Sequence, residues 1–329
     1  MRILVTGGAG YIGSHACRLL SRAGHEVWCY DNLSRGHRQA ALAGRVIEGE
    51  VADQNKVEAT LREHRIDAVM HFAAFALVGE SVAEPHKYYQ NNVVASLALL
   101  EAMRAADVKR IVFSSTTATY GVPDRVPITE DTPQRPINPY GFSKLVIERA
   151  LLDYAHAYDF AFAALRYFNA AGASPDGDLG EVDRSQSRLI PLVLQVALGQ
   201  REAITIFGDD YPTPDGTCIR DYIHVDDLAS AHLQALERLT PGRGLLLNLG
   251  TGRGHSVRQV VDVCRRVSGR EIPVRLAPRR PGDPAELVAD ASLARRVLDW
   301  QPRYPELEQI VETAWRWHSA HPQGFNSSR

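Results

Sequence analysis

Residues 2–15, "RILVTGGAGYIGSH", run from an apolar stretch of β-formers into glycines and out into an amphipathic stretch. Gly7, Gly10 and Gly13 stand at the spacing G-x-x-G-x-x-G. A turn that tight needs residues without a β-carbon, so the opening commits the chain to a strand, a sharp reversal and a helix. The rest of the first half repeats the plan. "EVWCY" (26–30), "RVIEG" (45–49), "AVMHF" (68–72), "RIVFSS" (110–115) and "FAALRYF" (162–168) read as strands. Helical stretches such as "YIGSHACRLLSRAG" and "NVVASLALLEAMRAA" lie between several of them. Alternation of this kind predicts a parallel sheet with helices on both faces, and near-continuous apolar strands fit burial from both sides.

The expected fold class is therefore α/β, a Rossmann-type doubly wound parallel sheet with a smaller mixed α/β domain. After Phe168 the pattern breaks into "NAAGASPDGDLGEVDRSQS", turn-rich and polar, which reads as a functional loop. The second half mixes helices with Gly-, Pro- and Asp-rich loops such as "FGDDYPTPDGT" and "APRRPGDP". The expected division is 1–168, completed by parts of 221–250, with 169–329 interleaved over the carboxyl ends of the strands. A chain of 329 residues, 45% hydrophobic, is ample for a large core. A net charge of −2 supplies no basic field for nucleic acid. The apolar runs fall short of a membrane span. "MRILVT" reads as a strand with no signal peptide before it, so a cytoplasmic protein is expected. Cys17, Cys29, Cys218 and Cys264 are scattered, without metal-ligand spacing. The 12 histidines form no H-E-x-x-H, and no metal is expected.

Context makes the glycine motif informative: a strand before, a helix after, and an acid, Asp31, at the end of the next strand. Such a turn lets a pyrophosphate approach bare backbone at a helix N-terminus. A carboxylate at Asp31 accepts from adenosine ribose hydroxyls and repels a 2′-phosphate, which favours NAD over NADP. Arg35 is the residue that leaves some NADP use open. The plainer alternative is that Asp31 only starts the turn "DNLSRG".

"NPYGFSK" (138–144) places Tyr140 and Lys144 four apart, on one face of a helix. A tyrosine along a lysine stem is also a common surface arrangement. Proton transfer asks more: a free tyrosine has a pKa of about 10, and bringing it near 7 takes roughly 4 kcal/mol of preference for the phenolate. A nearby ammonium and the positive charge of an oxidised nicotinamide both contribute. "RIVFSSTTATYG" ends in a hydroxyl cluster at a strand end, where open α/β sheets bind ligands. Thr116 can bond the reacting oxygen there, or Ser114–Thr117 can simply satisfy strand-end backbone groups.

Tyr140-x-x-x-Lys144, the Ser/Thr-rich strand end and T-G-x-x-G-x-x-G resemble the extended short-chain dehydrogenase/reductase superfamily. "HFAAFALVGESV", "YYQNNV", "LRYFNAAGA", "FGDDYPTPDGTCIRDYIHVDDLA" and "APRRPGDP" narrow the resemblance to its UDP-glucose 4-epimerases, over nearly the whole chain. The resemblance implies a homodimer with tightly held NAD, acting on a UDP-sugar bound by the second domain. By position it makes Tyr140 the base, Lys144 the lysine that lowers its pKa, and Thr116 their helper. It implies NAD contacts at Gly7, Gly10, Tyr11, Ile12, Gly13, Asp31, Asn32, Glu50, Val51, Phe72, Ala73, Asn91 and Phe168. UDP-sugar contacts fall on Asn169, Arg188, Leu189, Arg220, Tyr222, Arg280, Asp283 and Leu287. Arginine's planar fork suits a pyrophosphate. Arg220 and Arg280 have a plainer alternative as surface ion pairs with Asp221 and Asp283.

Three positions depart from the resemblance. Ala76 stands where some relatives carry a lysine, Glu50 replaces an aspartate, and Arg188 replaces Asn or His, either contacting phosphate or facing solvent. Leu287 stands where a tyrosine closes the sugar pocket in some members, so a pocket open to N-acetylated sugars competes with a leucine simply packed in the core. Related dehydratases and decarboxylases place acids after the catalytic threonine. Here Thr117 and Ala118 follow, and neither can abstract or deliver a proton. A dinucleotide-binding regulator without catalysis could dispense with both the Tyr–Lys pair and the arginines. The expected activity is 4-epimerisation of UDP-galactose and UDP-glucose, with other UDP-sugars as the alternative.

Overall fold

The computed structural model describes residues 1–42, 45–182, 187–280 and 282–325. The six apolar runs are strands: β1 (Arg2–Thr6), β2 (Glu26–Asp31), β3 (Arg45–Glu48), β4 (Ala68–His71), β5 (Arg110–Ser114) and β6 (Ala161–Tyr167). Further along come β7 (Asn169–Ala171), β8 (Ile204–Phe207), β9 (Ile219–His224) and β10 (Gly244–Leu249). β11 (Gly254–Ser256), β12 (Val274–Ala277) and β13 (Glu286–Leu287) follow. Seven strands form one sheet in the order β10-β6-β5-β4-β1-β2-β3, every neighbouring pair parallel. The order reverses between β1 and β4, so the chain walks one way through β2 and β3 and the other way through β5 and β6. That reversal opens a crevice at the carboxyl ends of the strands.

The strands are apolar throughout because both sheet faces are covered. Ile3 and Val5 of β1 pack with Cys29, Met70 and Val112, and with Cys17, Leu20, Leu228 and Ala235 from helices Tyr11–Arg22 and Val225–Glu237. Leu4, one residue out of phase, packs on the other face with Trp28, Val69, Ile111 and Phe113. There the cover comes from helices Gln54–Glu63, Ala95–Ala105 and Pro139–Tyr158, through residues such as Leu61, Leu99 and Ile147. Each such side chain stabilises by about 1.5–3 kcal/mol relative to exposure. Within this sheet the strand not named from the sequence is β10, which pairs with β6 from within the 221–250 stretch.

Outside the main sheet, β9 is flanked by β11, antiparallel, and by β13 and β7, both parallel. β8 and β12 form a separate parallel pair. Helices Leu189–Ala197, Val257–Ser268 and Leu307–Ala320 bury Val193, Leu194, Val260, Cys264, Ile310 and Ala314 in a third core. Buried Asp221 ties these parts together: its carboxylate accepts from Thr251 N (3.0 Å), Thr251 Oγ1 (2.8 Å), Gly252 N (3.1 Å) and Ala289 N (3.3 Å). In the polar stretch after Phe168, residues 169–171 are β7 and 183–186 lie outside the described residues. Among the described residues, no helix is long and apolar enough to cross a membrane.

Candidate active site

A cleft of about 1460 Å³ lies at the strand ends and gathers the residues singled out above, Asp283 excepted. One wall is the turn after β1. Gly7 has φ +71°, and a β-carbon on it would sit 2.5 Å from the Ala73 nitrogen. A β-carbon on Gly13 would lie 2.1 Å from the Gly7 oxygen. Gly10 caps helix Tyr11–Arg22, so the free N–H groups of that helix face the cleft beside Tyr11 and Ile12. Asp31 takes the Ala9 amide at 3.0 Å on one oxygen and the Leu33 amide at 2.8 Å on the other. Asp31 thus does start the next turn, and it also pins the glycine turn. Burial pushes its carboxyl above the usual range, and those two amides pull it back.

At the far end of this wall Asn32 donates to the Glu50 carboxylate at 3.1 and 3.0 Å, with Val51 beside them. Arg35 does not stand free near Asp31. Its guanidinium grips Glu80 at 2.8 and 2.7 Å and lies 4.4 Å from the Phe75 ring centre. Glu80 also takes Lys87 (2.6 Å) and Tyr88 (2.8 Å), and these donors hold its carboxyl down to about 2 against the pull of burial. Phe72, Ala73 and Ala76 line the floor. Asn91 sits in a π-turn, Tyr89–Val94, of the kind that often re-aims side chains at functional sites.

Where the walls meet stands helix Pro139–Tyr158. Asn138 caps it, its side chain accepting from Gly141 N at 2.8 Å, and Pro139 pre-sets its first turn. Gly141 lets the helix press on the turn after β5, since a β-carbon there would meet the Ala118 oxygen at 2.4 Å. This sets the half-buried Tyr140 beside Thr116 in the cleft. Lys144 is buried, donates to the Ser114 carbonyl at 2.8 Å and lies 4.7 Å from the Phe113 ring centre. Burial drives the Lys144 ammonium down to about 7. Burial also pushes the Tyr140 hydroxyl up, while Thr116 and then the Arg188 charge pull it down. The sequence pointed to Lys144 as the group that acidifies Tyr140. In the folded chain both are desolvated, and the charge that lowers Tyr140 is that of Arg188. The hydroxyl cluster serves the backbone too: Thr116 Oγ1 accepts from Ala118 N (3.2 Å) and Thr117 donates to the Tyr167 carbonyl (3.2 Å).

The opposite wall is built of charge. Arg220 lines the cleft, donates to the Ile219 carbonyl at 2.7 Å and pairs with Asp283. Arg220 is thus ion-paired, but with Asp283 rather than Asp221, and at the cleft, its side chain only 13% exposed. Asp221 is turned away into the core. Arg280 lies 4.0 Å from the Phe207 ring centre. Arg188 does not face solvent alone: it pairs with buried Glu181 at 2.7 Å and lies 5.3 Å from the Tyr11 ring centre. Asn169 donates to the Asp221 carbonyl at 3.1 Å; Tyr222 is buried, and Leu189 and Phe168 line the cleft. Leu287 stands opposite Arg220 in the β9–β13 pairing and reaches the cleft, so it is not simply core.

Residues not read from the sequence also line the cleft. Tyr167, whose hydroxyl lies 2.5 Å from Ser114 Oγ, and Glu181 both do. Gly8 is needed beneath it, because a β-carbon there would meet the Cys29 sulfur at 2.8 Å. An acid in a polar loop carries no sequence signal of burial. The glycine positions signal close approach of backbone, and Gly8 sat inside the motif without matching its spacing. Gly7 and Gly13, whose missing β-carbons open the turn, together with the helix N-terminus and Asp31, fit a dinucleotide.

A cradle of this kind beside a Tyr–Lys pair defines a nucleotide-dependent oxidoreductase-type fold, and the chain belongs to the NAD dependent epimerase/dehydratase family, whose profile matches residues 3–250. It is 54% identical over 321 residues to a UDP-glucose 4-epimerase of Corynebacterium glutamicum, covering 97% of this chain and 96% of that one. A UDP-glucose 4-epimerase of Halalkalibacterium halodurans is 52% identical over 328 residues, covering 99% and 98%. The crystal structure of UDP-glucose 4-epimerase from Brucella ovis in complex with NAD superposes with a TM-score of 0.93 at 49% identity, covering 95% of this chain and 97% of that one.

Proposed function

We propose that this chain interconverts UDP-galactose and UDP-glucose by transient oxidation at the sugar 4-position, using NAD held in the cleft. The observation that carries this is the place of Tyr140. It lines the cleft with Thr116 between a dinucleotide cradle and a wall of arginines, and Thr117 and Ala118 add no further acid or base. NAD supplies the hydride acceptor and donor. Tyr140 takes the proton of the sugar 4-hydroxyl and gives it back, so one base serves both directions. Thr116 orients the reacting oxygen. A charged Lys144 stabilises the phenolate against the burial that opposes it. Arg220 and Arg280 hold the diphosphate, leaving the sugar room to turn over and present its other face.

Residues 1–168 with parts of 221–250 form the NAD-binding unit, and 169–329 the UDP-sugar unit. A homodimer suits the exposed apolar side chains Val78, Val82, Tyr89, Val94, Phe142 and Leu152 on adjoining helices, with the Tyr89 and Phe142 rings 6.4 Å apart. All four thiols are free and buried, which suits the cytoplasm. The test is conversion of UDP-galactose to UDP-glucose by protein purified without added NAD. Sustained net accumulation of NADH would instead mark a dehydrogenase. Leu287 in the cleft favours a second substrate class, UDP-N-acetylhexosamines: leucine leaves apolar room where a tyrosine would close the pocket.

A further inference from the structure

Helix Pro139–Tyr158 carries a third polar residue in step with Tyr140 and Lys144. Glu148 is one turn further on and only 2% exposed. Its carboxylate is held by four donors: Ser115 Oγ at 2.5 Å and Arg166 Nε at 2.9 Å on one oxygen, Arg166 Nη2 at 2.6 Å and Gln134 Nε2 at 2.9 Å on the other. Arg166 passes the connection on to the Tyr120 hydroxyl at 2.7 Å. That hydroxyl donates to Asn248 of β10 at 2.8 Å, and the Asn248 amide donates to Glu130 at 2.8 Å. A buried ion pair of this kind is weak evidence for stability, since an apolar pair of the same shape often does as well. A carboxylate fixed beside a buried ammonium has another use.

We propose that Glu148 is a positioning residue for the reaction: its fixed negative charge keeps the buried Lys144 in the charged form on which Tyr140 depends. Lys144 has no carboxylate of its own; its one hydrogen-bond partner among the described residues is the Ser114 carbonyl. The other ionisable groups packed round the Tyr140–Lys144 pair do not supply the charge. His71 of β4 is bonded to Thr6 (2.6 Å) and Ser96 (2.8 Å), and burial with the Lys144 charge holds it neutral, down to about 3. Tyr167 of β6 is pushed well up by burial and stays neutral. Arg166 is engaged by Glu148 itself, and Arg188 by Glu181. Burial drives Lys144 down to about 7, and Glu148 is the charge that raises it. A nearby ammonium stabilises a phenolate, so weakening the lysine charge favours neutral tyrosine, the unreactive form.

This rests on the epimerase reading, so the test has one readout that does not use turnover. Glu148→Gln should lower kcat about ten-fold and bring its alkaline limb down by roughly one pH unit, with KM changed less than about two-fold. The near-ultraviolet phenolate signal of Tyr140, taken as protein with Tyr140 minus the same protein carrying Tyr140→Phe, should titrate at higher pH in the Glu148→Gln background. Glu148→Asp, which keeps the charge, should keep the pH profile even where it lowers Tm. If Glu148→Gln does not fold, the double variant Glu148→Gln with Arg166→Gln is read by the same criteria, since it leaves no unpaired buried charge. A Tm loss with the alkaline limb and the phenolate titration both unmoved overturns the proposal and leaves Glu148 a structural residue. Absence of wild-type epimerase turnover overturns the reaction assigned here, while the phenolate titration still decides the role of Glu148.

Discussion

The two walls of the cleft are made in opposite ways. The dinucleotide wall is shaped by what is missing: Gly7 and Gly13 leave gaps that a single β-carbon would close, and the groups on offer are backbone amides. The sugar-nucleotide wall is shaped by what reaches in: Arg220, Arg280 and Arg188, each steadied by an acid or an aromatic ring. The first wall suits a cofactor that stays. It lies close to the central sheet, and Asp31 is the side chain that pins its turn. The second suits a ligand that comes and goes, because an arginine already paired with Asp283 or Glu181 can exchange one anion for another without being desolvated alone.

That contrast can be broken in four places. The largest effect belongs to the seam between the walls. Tyr140→Phe should cut turnover by about 10²–10⁴-fold while the purified protein keeps its dinucleotide, measured by kcat and by cofactor released on denaturation. Turnover within a few-fold of wild type would return Tyr140 to an ordinary helix residue. Next comes Arg220→Ala, which should raise KM for UDP-galactose roughly ten- to hundred-fold and leave cofactor content unchanged, since charged hydrogen bonds are worth about 1.5–3 kcal/mol. An unchanged KM would show that Arg220 serves Asp283 and no ligand. Gly13→Ala should do the reverse. Its β-carbon would need to share space with the Gly7 oxygen at 2.1 Å. Overpacking of about 1–3 kcal/mol should lower the fraction of protein purified with NAD, while KM of the refilled enzyme stays near wild type. A fully loaded Gly13→Ala protein would mean the turn yields where the geometry says it does not. The smallest effect is at Leu287→Tyr. Wild type should turn over UDP-N-acetylglucosamine more weakly than UDP-galactose, and the tyrosine should cost the N-acetylated substrate about five-fold or more, as one steric block does. Equal preference before and after the change would remove Leu287 as the gate.

Much of the dinucleotide wall was legible in the sequence because its signals are local. A glycine motif between an apolar run and a helix, and an acid at the next strand end, depend on neighbours within thirty or so residues. β1 to β6 fall where apolar runs stood, for the same reason. Tyr140 and Lys144 were legible as a pair by helical spacing, though two readings stayed open until the fold placed both in the cleft with Thr116. What escaped depends on distant partners. Glu148 and Arg166 look like any acid and base of a solvated helix and strand, and only the fold shows that both are 2% exposed and facing each other. Arg35 carried a hint of 2′-phosphate binding, and Glu80, far along the chain, holds it instead. Arg188 left phosphate and solvent open, and its partner Glu181 gave no sign of burial. β10 was hidden for a related reason. "GLLLNL" is short, opens on a glycine and is followed by another, and its only claim to the first sheet is the edge of β6, some eighty residues earlier.

That edge has a consequence for how the protein is made. A ribosome delivers β6 well before β10, so the growing chain passes through a stage in which β6, paired with β5 on one side, has no neighbour on its outer edge. At ordinary rates of synthesis the wait is roughly 5–15 s, far longer than a hairpin or helix takes to form. Through that interval the row of N–H and C=O groups along Ala161–Tyr167 is a template for pairing with another nascent chain. Truncated forms ending between residues 168 and 243 are expected to be captured by chaperones or to aggregate, and a chain extended past Leu249 to escape, which makes β10 the strand that closes the cofactor half to strangers.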